Sequence, residues 1–270
     1  MVTAKGLFSL TRLGHKLRYH IPEIVCIGLI FVIWQLVSET LPNFIMPSPL
    51  ATLQETYRTL FSADFIYNAS LTLKRSLIGF FAAFFLAHIL IFSGIYSEVI
   101  ERFWQPLILI TLAIPATIGV FISVVILGSR GPVALYVAVL ILTPIIYLML
   151  QPIYKNLDKD LTEMSQVYRF SQWEYLKYIV VPQVAPYYLS AIRAGVNDAW
   201  KLTILAEVFS FGNGAGHQIL QYFNLFSIRQ VLAWFLSFFI ILIAIEYGIF
   251  RPLEKLLPTN SIKKLNHDTN

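Results

Sequence analysis

Long stretches without charge recur along this chain and set its plan. A helix needs about 20 apolar residues to cross the ~30 Å hydrocarbon layer of a bilayer. Five runs meet that length: 24–38 with apolar flanks to Ile21 and Leu41, then 76–97, 103–129, 131–154 and 230–250, the last interrupted by Glu246. A sixth stretch, 180–209, is apolar but carries Arg193, Asp198, Lys201 and Glu207. Side assignment decides whether it crosses. Cytoplasmic segments carry the excess of Lys and Arg. Here the basic residues gather before the first run (Lys5, Arg12, Lys16, Arg18), after the fourth (Lys155, Lys159, Arg169, Lys177) and after the last (Arg251, Lys255, Lys263, Lys264). If all three groups lie inside, an even number of crossings separates the second from the third, so 180–209 must cross. The expectation is an all-α, polytopic membrane protein. It has six transmembrane helices over 21–257, a basic cytoplasmic tail at 1–20 and a second tail at 258–270. The first run has a basic leader, but Ser38, Glu39 and Thr40 offer no small-residue cleavage pattern, so it is read as a retained span.

Two connecting stretches have readable local structure. Pro42, Pro47 and Pro49 end the first span and force extended backbone. Ser48 then stands as an N-cap with Pro49 in the first helical position. Leu50, Leu53, Tyr57, Leu60 and Phe61 follow at helical spacing, which predicts a short amphipathic helix on the outer face. The stretch 157–182 is more informative. Asp160 with Glu163 and Ser171 with Glu174 each have the spacing of a capping box, a polar cap followed three residues later by a carboxylate. They predict a helix, a turn and a second helix on the cytoplasmic side, stopped at Val181 and Pro182. That hairpin reads as a docking element or as a capped loop that steadies the bundle.

Composition agrees with the pattern. The chain of 270 residues is 57% apolar and 13% charged, with mean hydropathy +0.68, against roughly a quarter charged in a soluble domain. Too little charge is present to coat a water-facing surface. The net charge of +5 comes from scattered residues and forms no patch for nucleic acid. One cysteine, Cys26, excludes an internal disulfide. Five scattered histidines give no ligand set at metal spacing. No phosphate-binding string ending in Gly-Lys-Ser/Thr is present, and Gly212, Gly214 and Gly216 read as a flexible external turn.

Ionisable groups inside spans are costly and point to function. At about 100° per residue, Arg193, Asn197, Trp200, Ile204 and Glu207 share one stripe of the sixth stretch, with Lys201 at its edge. That stripe faces the bundle or a partner subunit. Asp198 and Lys201, three apart, can pair on one helix. Asn197, Trp200, Lys201 and Glu207 are the candidates for a solute pathway, with Lys201 attracting an anion; the alternative is that Glu207 simply pairs with a neighbour. His88, among phenylalanines, reads as a hydrogen-bonded packing residue, and Glu246 as an interfacial partner of Arg251.

The hairpin resembles the cytoplasmic loop of binding-protein-dependent ABC importer permeases: Glu-Ala-Ala, three residues, Gly, nine residues, then Ile-x-Leu-Pro. Here the string begins Glu163, Met164, Ser165, has Arg169 at the glycine position, and ends at Ile179 and Pro182. Glycine suits a helix end in left-handed conformation, where Arg costs about a kcal/mol or more. The wider chain looks most like the permeases for nitrate, taurine and aliphatic sulfonates. The matching residues are Met46-Pro47-Ser48-Pro49, Ser70-Leu71 with Arg75, Ile114-Pro115, Pro182 with Pro186, Arg193-Ala194-Gly195, and Trp200 with Ala206-Glu207. The resemblance implies a type I importer permease fold in a prokaryotic inner membrane. It also implies a second permease subunit, a cytoplasmic ATPase dimer that binds the ATP and Mg, and an external solute-binding protein. Glu163, Met164, Ser165, Arg169, Ile179 and Pro182 would then be the ATPase-coupling residues, and this chain would hold no cofactor or metal. Two other classes are weighed against it. An ATP-independent carrier or channel would not need the capped hairpin, and an intramembrane enzyme would need convergent nucleophile, base or metal-ligand groups, which are not visible.

Overall fold

The computed structural model describes residues 4–129, 132–210 and 212–256, with side chains from residue 21 onward. The side chains of Lys5, Arg12, Lys16 and Arg18, and all of Arg130, Gly131 and 257–270, lie outside the described residues. Among the described residues every regular element is helical. Four helices are long and apolar enough to cross a membrane: 21–40 at the end of α1 (Ala4–Thr40), α3 (Ala63–Tyr96), α6 (Val133–Lys155), and 228–256, which joins α11 (Ile228–Ile245) to α12 (Arg251–Leu256). The long α9 (Val181–Phe209) lies among them and carries the charges that break its apolar run.

The run 103–129 is not one straight helix. It is split into α4 (Glu98–Ala113) and α5 (Ala116–Leu127), bent by 100°. Pro115 explains the break: it has no N–H to give and it pushes Ile114 into extended backbone, φ −78° and ψ 118°. The centre of the bundle is α3, α6 and α9. Their contact is made by small residues, which let helix backbones approach where no water drives them together. A Cβ on Gly79 would sit 2.6 Å from the Ala138 Cβ, and one on Gly195 would sit 2.7 Å from the Phe80 ring. Ala83, Ala87, Ala191 and Ala199 fill the same seams, fully buried.

The short helices differ from expectation in instructive ways. In α2 (Pro49–Leu60), Ser48 caps as expected, its Oγ accepting from the Ala51 N–H at 3.3 Å. Thr52, Thr56 and Thr59 form the buried face, while Leu50, Leu53, Tyr57 and Phe61 point outward. The threonine hydroxyls of 52 and 56 satisfy themselves on carbonyls one turn back, so this face packs without polar cost. His88 behaves as expected. The Phe84 carbonyl can only accept, so Nδ1 carries the proton and Nε2 accepts from the Tyr188 hydroxyl at 2.6 Å. Tyr188 in turn bonds Tyr154, which ties α3, α9 and α6 together.

Candidate functional site

The hairpin is built from α7 (Lys159–Val167), α8 (Gln172–Tyr175) and the turn between them. The first cap sits two residues earlier than the capping-box pattern indicated. Asp158 is the N-cap, its Oδ1 accepting from the Asp160 and Leu161 N–H groups, and Asp160 lies inside the first turn. There Asp160 still favours the helix, as an anion near the positive end of its dipole. The second cap is the expected reciprocal box: Ser171 Oγ accepts from the Glu174 N–H at 3.3 Å, and Glu174 Oε2 accepts from the Ser171 N–H at 2.8 Å. The hydrogen bonds from the Ser171 side chain, then from its backbone, hold the Glu174 carboxyl below the usual carboxylate range.

The turn is closed by two bonds. The Phe170 N–H reaches the Ser165 carbonyl at 2.9 Å and the Arg169 N–H reaches the Gln166 carbonyl at 3.0 Å. This pair of bonds is the Schellman arrangement, which puts the residue between them in left-handed backbone. Arg169 has φ +52°. The position marked for glycine therefore has a glycine's geometry, with arginine occupying it. Glu163, Met164 and Arg169 are exposed, Ser165 and Ile179 are buried, and Pro182 is half-buried.

The second helix does not stop at Val181 and Pro182. It passes through a π-helical segment, Leu176–Val180, and runs on as α9. The Val181 N–H bonds the Leu176 carbonyl five residues back. Pro182 has no N–H for a normal bond, and the wider turn absorbs that loss without ending the helix. The hairpin is thus continuous with a span. Gln183, which sequence reading passed over, adds a second tie: its Oε1 accepts from the Asp158 N–H at 2.9 Å and its Nε2 donates to the Ile179 carbonyl at 3.0 Å. A cavity of about 610 Å³ lies at this root, lined by Pro152, Asn156, Asp158, Tyr178, Pro182 and Gln183.

At the other end of α9 lies a polar cluster. Glu207, 2% exposed, receives the Arg75 guanidinium at 2.7 Å, the Thr72 hydroxyl at 2.7 Å and the Gly216 N–H at 3.1 Å. Arg75 also donates to the Asn213 carbonyl and side chain, and Asn68 Oδ1 accepts from the Gly214 N–H. The glycine-rich segment is therefore pinned, contrary to its reading as a flexible turn. Gly214 and Gly216 are needed for close approach: a Cβ on Gly214, at φ +117°, would fall 2.3 Å from the Glu207 carboxyl carbon, and one on Gly216 would fall 2.2 Å from the Ile204 carbonyl oxygen. A cavity of about 270 Å³ adjoins the cluster, lined by Arg75, Ile78, Ser129, Pro132, Glu207 and Asn213.

The four pathway candidates separate. Trp200, 3% exposed, packs its ring 4.9 Å from Phe238 among Phe65, Ala69 and Trp234. Glu207 is buried as just described. Asn197 is half-buried, and Lys201 points away from the chain's own core, bonded to Asp198 at 3.1 Å as its spacing indicated. Glu246 pairs with Arg193 across α9 and the π segment Glu246–Phe250, not with Arg251, whose guanidinium lies 4.0 Å from the Tyr247 ring centre. Glu101 is a further buried carboxylate, held by Lys155 and Gln151 where α4 meets α6. The only cue in the sequence is an acid three residues past another at a helix start.

Comparison with known proteins places these features. A family described as "Binding-protein-dependent transport system inner membrane component" matches residues 79–251, which include the hairpin and the Glu207 carboxylate. The nitrate import permease protein NrtB of Synechococcus elongatus is 23% identical over 77% of this chain and 78% of its own length. The protein of that name from Synechocystis is 24% identical over 77% of this chain and 78% of its own. A probable ABC transporter permease of Brucella melitensis is 22% identical over 70% and 76%. The family match covers more than half of an all-helical, multi-span chain, so this protein belongs to the inner-membrane permeases of binding-protein-dependent ABC importers and resembles their nitrate subgroup.

Proposed function

We propose that the chain is the translocation subunit of an ATP-driven importer, with six spans and both termini cytoplasmic. Two permease subunits enclose a path for a small solute of the nitrate, sulfonate or taurine kind, which an external binding protein delivers. The chain binds no cofactor or metal of its own; ATP and Mg belong to a partner ATPase dimer. The α4–α5 pair counts as one broken span and α9 as another in this reading, with 1–20 and 258–270 as cytoplasmic tails.

One observation carries it: the hairpin 157–182 is exposed on its outward side and helically continuous with α9. Force applied at Glu163, Met164 and Arg169 is passed through buried Ser165 and Ile179 and through Pro182 into a span, with no loose joint between. The path-facing side of α9 is the one bearing Asn197 and Lys201; Trp200 and Glu207 form the wall behind it. The test is reconstitution in liposomes with the ATPase and binding protein of the same system. Solute uptake should require all three proteins and ATP, and Glu163→Arg should abolish solute-stimulated ATP hydrolysis. Uptake against a gradient by this chain alone would overturn the reading.

A further inference from the structure

Two ion pairs tie α9 to its neighbours. The Arg75–Glu207 pair holds its outer part, and the Arg193–Glu246 pair holds it on the cytoplasmic side. At 1.5 Å per residue these clamps are ~21 Å apart along the axis. With α9 taken as a span, as in the importer reading, Lys201 and Asp198 lie between them, ~9 Å and ~14 Å from Glu207 along the axis, in the middle part of a ~30 Å hydrocarbon layer. Their side chains are 68% and 40% exposed, while Ala199 and Trp200 on the opposite side are buried. A lysine at this depth can reach part of the way to the interface, but an aspartate is too short to do so. The pair therefore cannot face lipid without a large cost, and its face belongs against water or another protein surface.

We infer that Asp198 and Lys201 line the solute path where two permease copies meet, and that together they act as its charge filter. The inference rests on the importer reading above and specifies the substrate class: a small, net-neutral solute carrying both an ammonium and an acid group, in preference to a simple anion. The geometry supplies the reason. Lys201 alone would hold an anion, but Asp198 at 3.1 Å cancels its charge. A simple anion that takes Lys201 must displace the carboxylate and leave it unpaired beside another negative charge. A zwitterion exchanges partners one for one, its acid group taking the Lys201 ammonium while its own ammonium takes the Asp198 carboxylate.

The test compares ATP-driven uptake of taurine and nitrate, offered at equal concentration to the whole transporter in liposomes. The binding protein is the same throughout, so a change in the uptake ratio reports on the permease. Asp198→Asn should lower the taurine-to-nitrate ratio about tenfold relative to wild type, the worth of one charge-assisted hydrogen bond. Exchanging the two residues, Asp198→Lys with Lys201→Asp, should keep the ratio within about twofold of wild type, because the balance is preserved. An unchanged ratio in Asp198→Asn overturns the inference. If Asp198→Asn fails to assemble, the exchanged variant decides: nitrate uptake kept with taurine uptake lost also overturns it. Failure of wild type to move either solute with ATP overturns instead the importer reading beneath.

Discussion

Arg169 shows how a single backbone angle can be specified by its surroundings. The two bonds that close the turn after α7 demand left-handed backbone, and Arg169 adopts it at φ +52°. A side chain there costs about 1 kcal/mol relative to glycine. Arg169→Gly should therefore stabilise the hairpin by about that amount, seen as slower amide exchange across residues 159–175. A lower stability would mean that the arginine makes a compensating contact with a partner. Glu207 is the opposite kind of residue, one whose surroundings depend on it. Arg75→Met would leave its carboxylate buried with two hydrogen bonds and no counter-charge. Removing one member of a buried pair costs about 3–5 kcal/mol, and the partial exposure of Arg75 puts this case at the low end. Thermal unfolding of the solubilised complex measures it, and Glu207→Gln with Arg75→Met should recover part of the loss.

At the scale of elements, the runs at 24–38, 76–97, 131–154 and 230–250 were legible as helices long enough to cross a membrane, because a helix in lipid must be apolar over its whole length. The second cap and the glycine-like turn were legible because each needs particular residue types at fixed spacing. What periodicity could not give was how a helix treats a proline. Pro115 and Pro182 look alike in sequence, yet one turns the chain through 100° and the other follows a π segment within a continuous helix. The difference lies in tertiary support. Around Pro182, Gln183 braces the carbonyl of Ile179 and the start of α7, a contact that has no sequence signature. The same construction recurs before Pro252, where the Arg251 N–H bonds Glu246 five residues back. Pro182→Ala restores the missing N–H and should let the π turn relax to α, rotating the hairpin relative to α9. The expected result is a complex that still assembles but hydrolyses ATP without responding to solute. A fully coupled variant would show that the π segment has no mechanical role. The Ser171–Glu174 box sets a pH limit on the same element. Its carboxyl is held below the ordinary range in the folded form, so its contribution is complete above that range and is lost as pH falls through the lowered value. Amide-exchange protection at residues 171–174, taken relative to the intrinsic rate at each pH, should fall on acidification, and Ser171→Ala should weaken that dependence.

Across the whole molecule, the charged groups of α9 fall into layers, and the two flanking layers join α9 to different neighbours. Glu207 joins it to α3 near its C-terminal end, and Arg193 joins it to the π segment after α11 in its N-terminal half. Arg193 also lies 3.7 Å from Glu254 on α12, so one guanidinium faces two carboxylates past a π turn. Under the proposed function a push on the hairpin would move α9, and Arg193 would be the first rigid link by which that movement reaches α11. The link is directional in a way that simple packing is not, since it survives only if opposite charges remain opposed. Arg193→Glu should therefore uncouple the transporter, with ATP hydrolysis persisting while solute uptake falls at least tenfold, about 1.4 kcal/mol or more of lost coupling. Restoring the pair in reverse, Arg193→Glu with Glu246→Arg, should bring uptake back to within a fewfold of wild type. The readout is the number of solute molecules moved per ATP. A purely stabilising bridge would lower assembly and leave that number unchanged, so equal stoichiometry in the surviving Arg193→Glu complexes would exclude a coupling role for this pair.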